Sequence, residues 1–216
     1  MKRGILHLSE VEGTIQFAYN LSPSDEDILD QAAFSELAAW RSILFALDLL
    51  GQTPDKYGGY AYGNLSCALE SGFAITASQT SGAQELIPEH VVRVVDANLE
   101  RFWIEAEGSE PPSSESITHA MIYQADERSR FVFHIHSTEI WSARAELNLP
   151  ETASEVAYGS REMAGAVNQL LANNQSRPLV FATAGHEDGI FALGHHARDC
   201  GGLLVSYLAK ARALTS

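Results

Sequence analysis

The sequence predicts an α/β fold built as one domain over residues 1–216, and three observations predict it. Stretches with helical apolar spacing are interleaved with short β-prone stretches along the chain, with no internal repeat, low-complexity tract or long linker between them. The 216 residues are 45% hydrophobic and 19% charged, enough apolar surface for a packed core and too much for intrinsic disorder. No stretch reaches the ~18 apolar residues of a membrane helix, and the start of the chain does not read as a signal peptide, so a cytoplasmic protein is expected. Charge narrows the partners: 14 Lys and Arg against 28 Asp and Glu leave −14 with no basic run, which argues against broad binding to nucleic acid or to an anionic membrane. Cys67 and Cys200, far apart and in no Cys-x-x-Cys pattern, read as reduced, buried thiols.

Taken in order, residues 11–21 alternate Ile15, Phe17 and Tyr19 against Thr14, Gln16, Ala18 and Asn20, the period of a strand with one face half-buried. Ser24 is the expected N-cap of a helix with an acidic first turn, whose positions Leu37, Trp40, Leu44 and Leu47 run up to Gly51 as its stop. Residues 63–69 and 73–77 read as paired strands joined by a Gly-containing turn; strands at 91–95 and 100–105 and a loop at 110–114 follow. A helix over 115–124 carries Ile117, Ala120, Met121 and Ile122, and 131–136 is a strand. Ser160 caps a helix with Met163, Val167, Leu170 and Leu171 as its buried stripe. Residues 179–182 and 189–193 read as adjacent strands, and the last helix, over 197–213, has Cys200, Leu204, Tyr207, Leu208 and Ala211 on one side.

The sharpest chemical signal is His134-Ile135-His136. On a strand, residues i and i+2 share a face, so both imidazoles point one way and can either bind a divalent metal or rest as two hydrogen-bonded histidines. His186 in Ala184-Gly185-His186-Glu187-Asp188-Gly189 offers a third ligand; Asp188 shares its face if the chain stays extended there, and Asp188-Gly189 is otherwise a tight turn. Three protein ligands leave a position open for substrate, as catalytic metal sites do. Glu115, at a loop-to-helix junction, is either a helix-terminal carboxylate, a general acid/base or a further ligand, and His119 lies one turn on. The turns Gly63-Asn64-Leu65-Ser66, Thr80-Ser81-Gly82 and Ser113-Ser114 can cradle an oxyanion, or serve as ordinary turn chemistry.

In this order the pieces resemble the class II aldolase/adducin family over roughly residues 30–213: Gly63-Asn64-x-Ser66, Ser81-Gly82, Pro112-Ser113-Ser114-Glu115 with His119 four residues on, His134-x-His136, and a late His-bearing strand before Gly194. The resemblance implies a three-layer α/β/α fold with a central, largely antiparallel sheet, and a homotetramer with active sites between subunits. It implies His134 and His136 as ligands of a divalent metal, usually zinc, with Mn²⁺, Co²⁺ or Fe²⁺ as alternatives. Glu115 then moves a proton, while Asn64, Ser81, Gly82, Ser113 and Ser114 hold a phosphate. The implied activity is aldolase-type lyase chemistry on a small sugar through a metal-stabilised enediolate; epimerase, dehydratase and decarboxylase chemistries share that metal site, and adducin-like members are non-catalytic interaction domains.

The pattern departs from the family in four places. The family's third histidine usually stands directly before the first of two glycines five residues apart, but Asp188 precedes Gly189 here; His186 is taken as the ligand, with Asp188 as the alternative. Cys67-Ala68-Leu69 follows the Asn-x-Ser motif where a basic residue is usual, and no Lys precedes Pro111-Pro112, so an unphosphorylated hydroxy- or keto-acid competes with a sugar phosphate. Tyr158 lies where aldolases place an aromatic acid contributed by a neighbouring subunit. Residues 1–28, with their strand, are additional to the family pattern.

Overall fold

The computed structural model describes residues 13–24, 27–157 and 159–215. In chain order the elements are β1 (Ala18–Ser22), α1 (Gln31–Ala46), β2 (Gly51–Gln52), β3 (Ala61–Tyr62), β4 (Asn64–Ala68), β5 (Phe73–Thr76), β6 (Val91–Asn98) and β7 (Trp103–Glu107). Then follow α2 (Ser116–Ala125), β8 (Phe131–His136), α3 (Thr138–Ser142), α4 (Arg161–Asn173), β9 (Leu179–Ala182), β10 (Gly189–Gly194) and α5 (Ala197–Leu214). Eight strands form one sheet in the order β1-β7-β6-β5-β4-β8-β10-β9, while β2 and β3 pair separately. All pairs in the large sheet are antiparallel except β1 with β7.

Side-chain alternation along the central strands divides the core into two. Phe133 and Ile135 of β8, with Ile190 and Ala192 of β10, pack with Leu37 and Leu44 of α1 and Leu204 and Leu208 of α5. Val132 of β8, with Phe191 and Leu193 of β10, packs instead with Ile117, Ala120 and Met121 of α2 and Val167 and Leu170 of α4. A sheet between two helical layers follows, the three-layer α/β/α arrangement with a largely antiparallel sheet. His134 and His136 alternate with Phe133 and Ile135, so they fall on the α2/α4 face. Among the described residues no helix is long and apolar enough to cross a membrane.

Several boundaries differ from those the sequence predicts. The first strand is Ala18–Ser22 rather than 11–21; residues 11 and 12 lie outside the described residues. It is a sheet edge, paired on one side only, and is largely exposed instead of half-buried, although Phe17 just before it is buried. Helix α1 is capped by Asp30, whose carboxylate accepts the Ala33 N–H at 2.8 Å, and not by Ser24. It ends at Ala46, and the residue that turns the chain is Asp48 at φ 58°, not Gly51, which already belongs to β2. Strand β6 continues to Asn98 past an irregularity between Val94 and Asp96. Strand β7 starts at Trp103, not 100, because the Asn98 side chain takes the Arg101 N–H and Phe102 turns left-handed at φ 58°. The unpredicted α3, capped by Ser137, has five residues, too few to show helical periodicity.

Candidate functional site

Strands β4, β8 and β10 lie side by side, and their register sets the floor of the site. His134 stands beside Asn64 on one side and Phe191 on the other, and Gly189 stands beside His136. The Phe191 ring stacks on His134 with centroids 4.3 Å apart, and the Ile190 carbonyl accepts from His134 Nδ1 at 3.2 Å. With Nδ1 turned to that carbonyl, His134 points its Nε2 into the site, 3.1 Å from His136 Nε2.

His186 reaches the same point from the turn between β9 and β10. The His186 N–H donates to Thr183 O and the Gly189 N–H to His186 O, each at 3.0 Å, so this stretch is a tight turn and the extended reading that put His186 and Asp188 on one face does not hold. Its ring stacks on His134 at 5.4 Å and meets His136 edge-on at 4.8 Å. Ligand atoms of His134, His136 and His186 lie within 4.8 Å of one another, and all three residues are buried. Asp188, left-handed at φ 65°, turns its carboxylate to Tyr57 OH and Thr138 Oγ1, each at 2.8 Å. Tyr57 in turn sets its ring edge against His136, with centroids 4.6 Å apart.

Glu115 is the residue before α2, yet its side chain makes no capping bond. Its Oε2 accepts from Asn64 Nδ2 at 2.9 Å and lies 2.8 Å from His134 Nε2; its Oε1 lies 3.7 Å from His186 Nδ1. Burial by itself raises a carboxyl pKa, but the His134 and His186 imidazoles and the bonds from His134 and Asn64 outweigh it and bring Glu115 down to about 2. His134 Nε2 thus lies within hydrogen-bond distance of both His136 Nε2 and Glu115 Oε2, a cluster of nitrogen and oxygen atoms that can hold a positive centre, a proton or a metal ion. A three-imidazole donor set fits a divalent ion that prefers nitrogen ligands.

The remaining predicted residues fall into two groups. His119 turns away from the Glu115 carboxylate: its Nδ1 lies 2.7 Å from Ser66 Oγ, which also lies 2.7 Å from Tyr123 OH and donates to Val132 O at 3.2 Å. Burial brings its pKa down to about 3, so it is neutral. Asn64, Ser81, Ser113 and Ser114 line one recess with Gly63 and Gln79. Ser81 gives its hydroxyl proton to Gly63 O, and Ser113 Oγ accepts the Glu115 N–H at 3.4 Å. Gly82 is not in that lining; it sits against Gln52, where a Cβ would come within 2.6 Å. Tyr158 lies outside the described residues.

Four neighbours were not legible as site residues. Arg41, 2% exposed, donates to the carbonyls of Thr80, Ser81, Ala83 and Gln84 and so fixes the loop that carries Ser81. Its position four residues after Leu37 and three before Leu44, on the buried stripe, is the signal that could have found it. Phe191 follows from pairing the two strands 131–136 and 189–193 antiparallel. Tyr57 and Gln79 sit in turns, at φ 49° and 60°, and nothing in the local sequence marks them.

Comparison with known proteins agrees with this geometry. The family model for the class II aldolase and adducin N-terminal domain matches residues 55–204. Similar solved structures include L-fuculose-1-phosphate aldolase from Thermus thermophilus, 22% identical with a TM-score of 0.62, over 84% of this chain and 92% of that one. The sugar-phosphate aldolase from Thermotoga maritima is 12% identical with a TM-score of 0.65, over 86% and 94% of the two chains. The N-terminal class II aldolase domain of a conserved protein from Thermoplasma acidophilum is 13% identical with a TM-score of 0.59, over 89% and 100%. A search of curated proteins found no match.

Proposed function

The chain belongs to the class II aldolase and adducin N-terminal domain family, and from that premise we propose that it is a divalent-metal-dependent, aldolase-type lyase acting on a small sugar or hydroxy- or keto-acid. The observation that carries the reading is the buried convergence of three imidazoles beside the Glu115 carboxylate. His134, His136 and His186 would hold the ion, zinc first, with Mn²⁺, Co²⁺ or Fe²⁺ as alternatives. Bound there, it supplies Lewis-acid polarisation of a substrate carbonyl or hydroxyl oxygen.

The chain's own groups do the rest. Ile190 O and the Phe191 ring hold the His134 imidazole in one tautomer and one plane. Asn64 Nδ2 holds Glu115 Oε2, which leaves the carboxylate oriented to take a proton from carbon or oxygen of a substrate and to return it. Ser113 and Ser114, beside Glu115, and Ser81 and Gly82, on the loop held by Arg41, are assigned to the substrate. His119 supports the floor through Ser66, and Asp188 holds the Tyr57 loop instead of the metal. A single domain and a cytoplasmic location, expected from the sequence, and a homotetramer to which Tyr158 contributes from a neighbour, implied by the family resemblance, complete the reading.

The test is Glu115→Gln in a cleavage screen of small sugars and hydroxy- and keto-acids. The variant is expected to keep its metal and lose about 10²–10⁴-fold in turnover. Turnover equal to wild type would remove Glu115 from the chemistry, and a metal-loaded wild type inert to every substrate would favour the non-catalytic, adducin-like alternative.

A further inference from the structure

Asp188 stands where the family's third histidine is usual, and the structure gives its oxygens other partners. Two residues past His186 in the turn between β9 and β10, it is 6% exposed. Its backbone carbonyl accepts the Ser137 N–H at 2.9 Å, and its Oδ2 accepts the Thr138 hydroxyl at 2.8 Å. Ser137 and Thr138 follow His136 directly, and Gly189, next after Asp188, pairs with His136 in the β8/β10 register. The two segments that present His136 and His186 are therefore tied together, close to the imidazoles, by the backbone and the side chain of one residue.

The same Oδ2 also accepts the Tyr57 hydroxyl at 2.8 Å, across 131 residues of sequence. A carboxylate oxygen has lone pairs for two donors, so Tyr57 and Thr138 need not compete for it. Tyr57 sets its ring edge against His136 with centroids 4.6 Å apart, and against Tyr62 at 4.9 Å. Both bonded residues are left-handed, Tyr57 at φ 49° and Asp188 at φ 65°, a backbone state that residues with a side chain keep only where the surrounding contacts impose it. Two such residues from distant loops, bonded to each other beside a cluster of metal-ligating groups, mark a place where the fold accepts strain to fix geometry.

We propose that Asp188 is a positioning residue of the metal site. Through Ser137 and Thr138 it fixes the separation of His136 and His186, and through the Tyr57 hydroxyl it fixes the plane of the His136 ring, so that it sets how tightly the three imidazoles hold an ion. Partners of this kind, one step removed from the metal, are worth about 10–100-fold in metal affinity. This deepens the lyase reading and rests on it.

The experiment is chelator-competition titration of Zn²⁺, together with the ligand-field spectrum of the Co²⁺-loaded protein, on wild type, Asp188→Gly, Asp188→Asn, Tyr57→Phe and the double variant of Asp188→Gly with Tyr57→Phe. Glycine removes the carboxylate and tolerates φ 65°; asparagine tolerates it as well and keeps an oxygen for Tyr57 and Thr138. Asp188→Gly is expected to bind Zn²⁺ about 10–100-fold more weakly and to change the Co²⁺ band, whereas Asp188→Asn stays within about threefold of wild type with an unchanged band. Tyr57→Phe keeps its ring and loses its hydroxyl, and is expected to bind Zn²⁺ about threefold or more weaker than wild type. The double variant is expected to bind no more weakly than Asp188→Gly, because the hydroxyl acts through Asp188. Wild-type affinity in Asp188→Gly or in Tyr57→Phe overturns the proposal. So do losses that add in the double variant, or an Asp188→Asn as weak as Asp188→Gly. A wild type that takes up neither ion is a different result and overturns the lyase reading beneath it.

Discussion

Buried and bonded through Nδ1 to the Ser66 hydroxyl, His119 is a neutral histidine that the folded chain keeps neutral down to acid pH. Its pKa is lowered from 6.5 to about 3, first by burial; Glu115 acts to raise it and His134 to lower it. The unfolded chain takes up this proton below pH 6.5 and the folded chain only near pH 3, so the group favours unfolding increasingly as pH falls through that window. At pH 5 the loss amounts to about 2 kcal/mol relative to pH 8. Urea unfolding of wild type and His119→Asn at both pH values reads it: the variant, which keeps an N–H donor for Ser66, should lose about 2 kcal/mol less between pH 8 and 5. An identical pH dependence in the two proteins would mean that His119 is not held neutral. At this scale the sequence exposes residues whose type is unusual for their place, such as two histidines on one face of an apolar strand. Gln79 and Tyr57 stayed hidden because their roles come from backbone turns and from partners more than ten residues away.

Elements with a strong period were legible almost to the residue: β8 spans 131–136 as expected, and all four stripe residues of α4 are buried under its Ser160 cap. The start of α1 was not, because Ser24 and Asp30 are both good capping residues in an acidic stretch and local chemistry does not choose between them. The fold chooses Asp30 through its bond to Ala33. Asp30→Ala should therefore cost about 1 kcal/mol of stability, while Ser24→Ala should cost a few tenths at most, both read as shifts in the urea midpoint. Equal losses from the two substitutions would move the helix start back toward Ser24. The edge strand β1 was misjudged for a related reason: alternation reports a face half-buried by tertiary contacts, and β1 has a partner on one side only.

For the whole molecule, the sheet order could not be read from the chain, and the site depends on it. Strand β4 pairs with β8 across more than sixty residues of sequence, which brings Asn64 beside His134, and β10 closes the other side with Phe191. The motifs named the histidines and Glu115; only the topology explains why they converge on the α2/α4 face instead of lining separate strands. The same topology, together with the −14 charge, means that an anionic group on a substrate has to be met locally, by the metal and by N–H and O–H donors, because the surface offers no attractive field. The central claim is thus that His134, His136 and His186 form one metal site and that Asp188 stands outside it. Elemental analysis of the purified protein after zinc loading measures this directly: about one ion per chain in wild type and in Asp188→Asn, and almost none in His186→Ala, is the expected result. Full metal content in His186→Ala with loss in Asp188→Asn would contradict it.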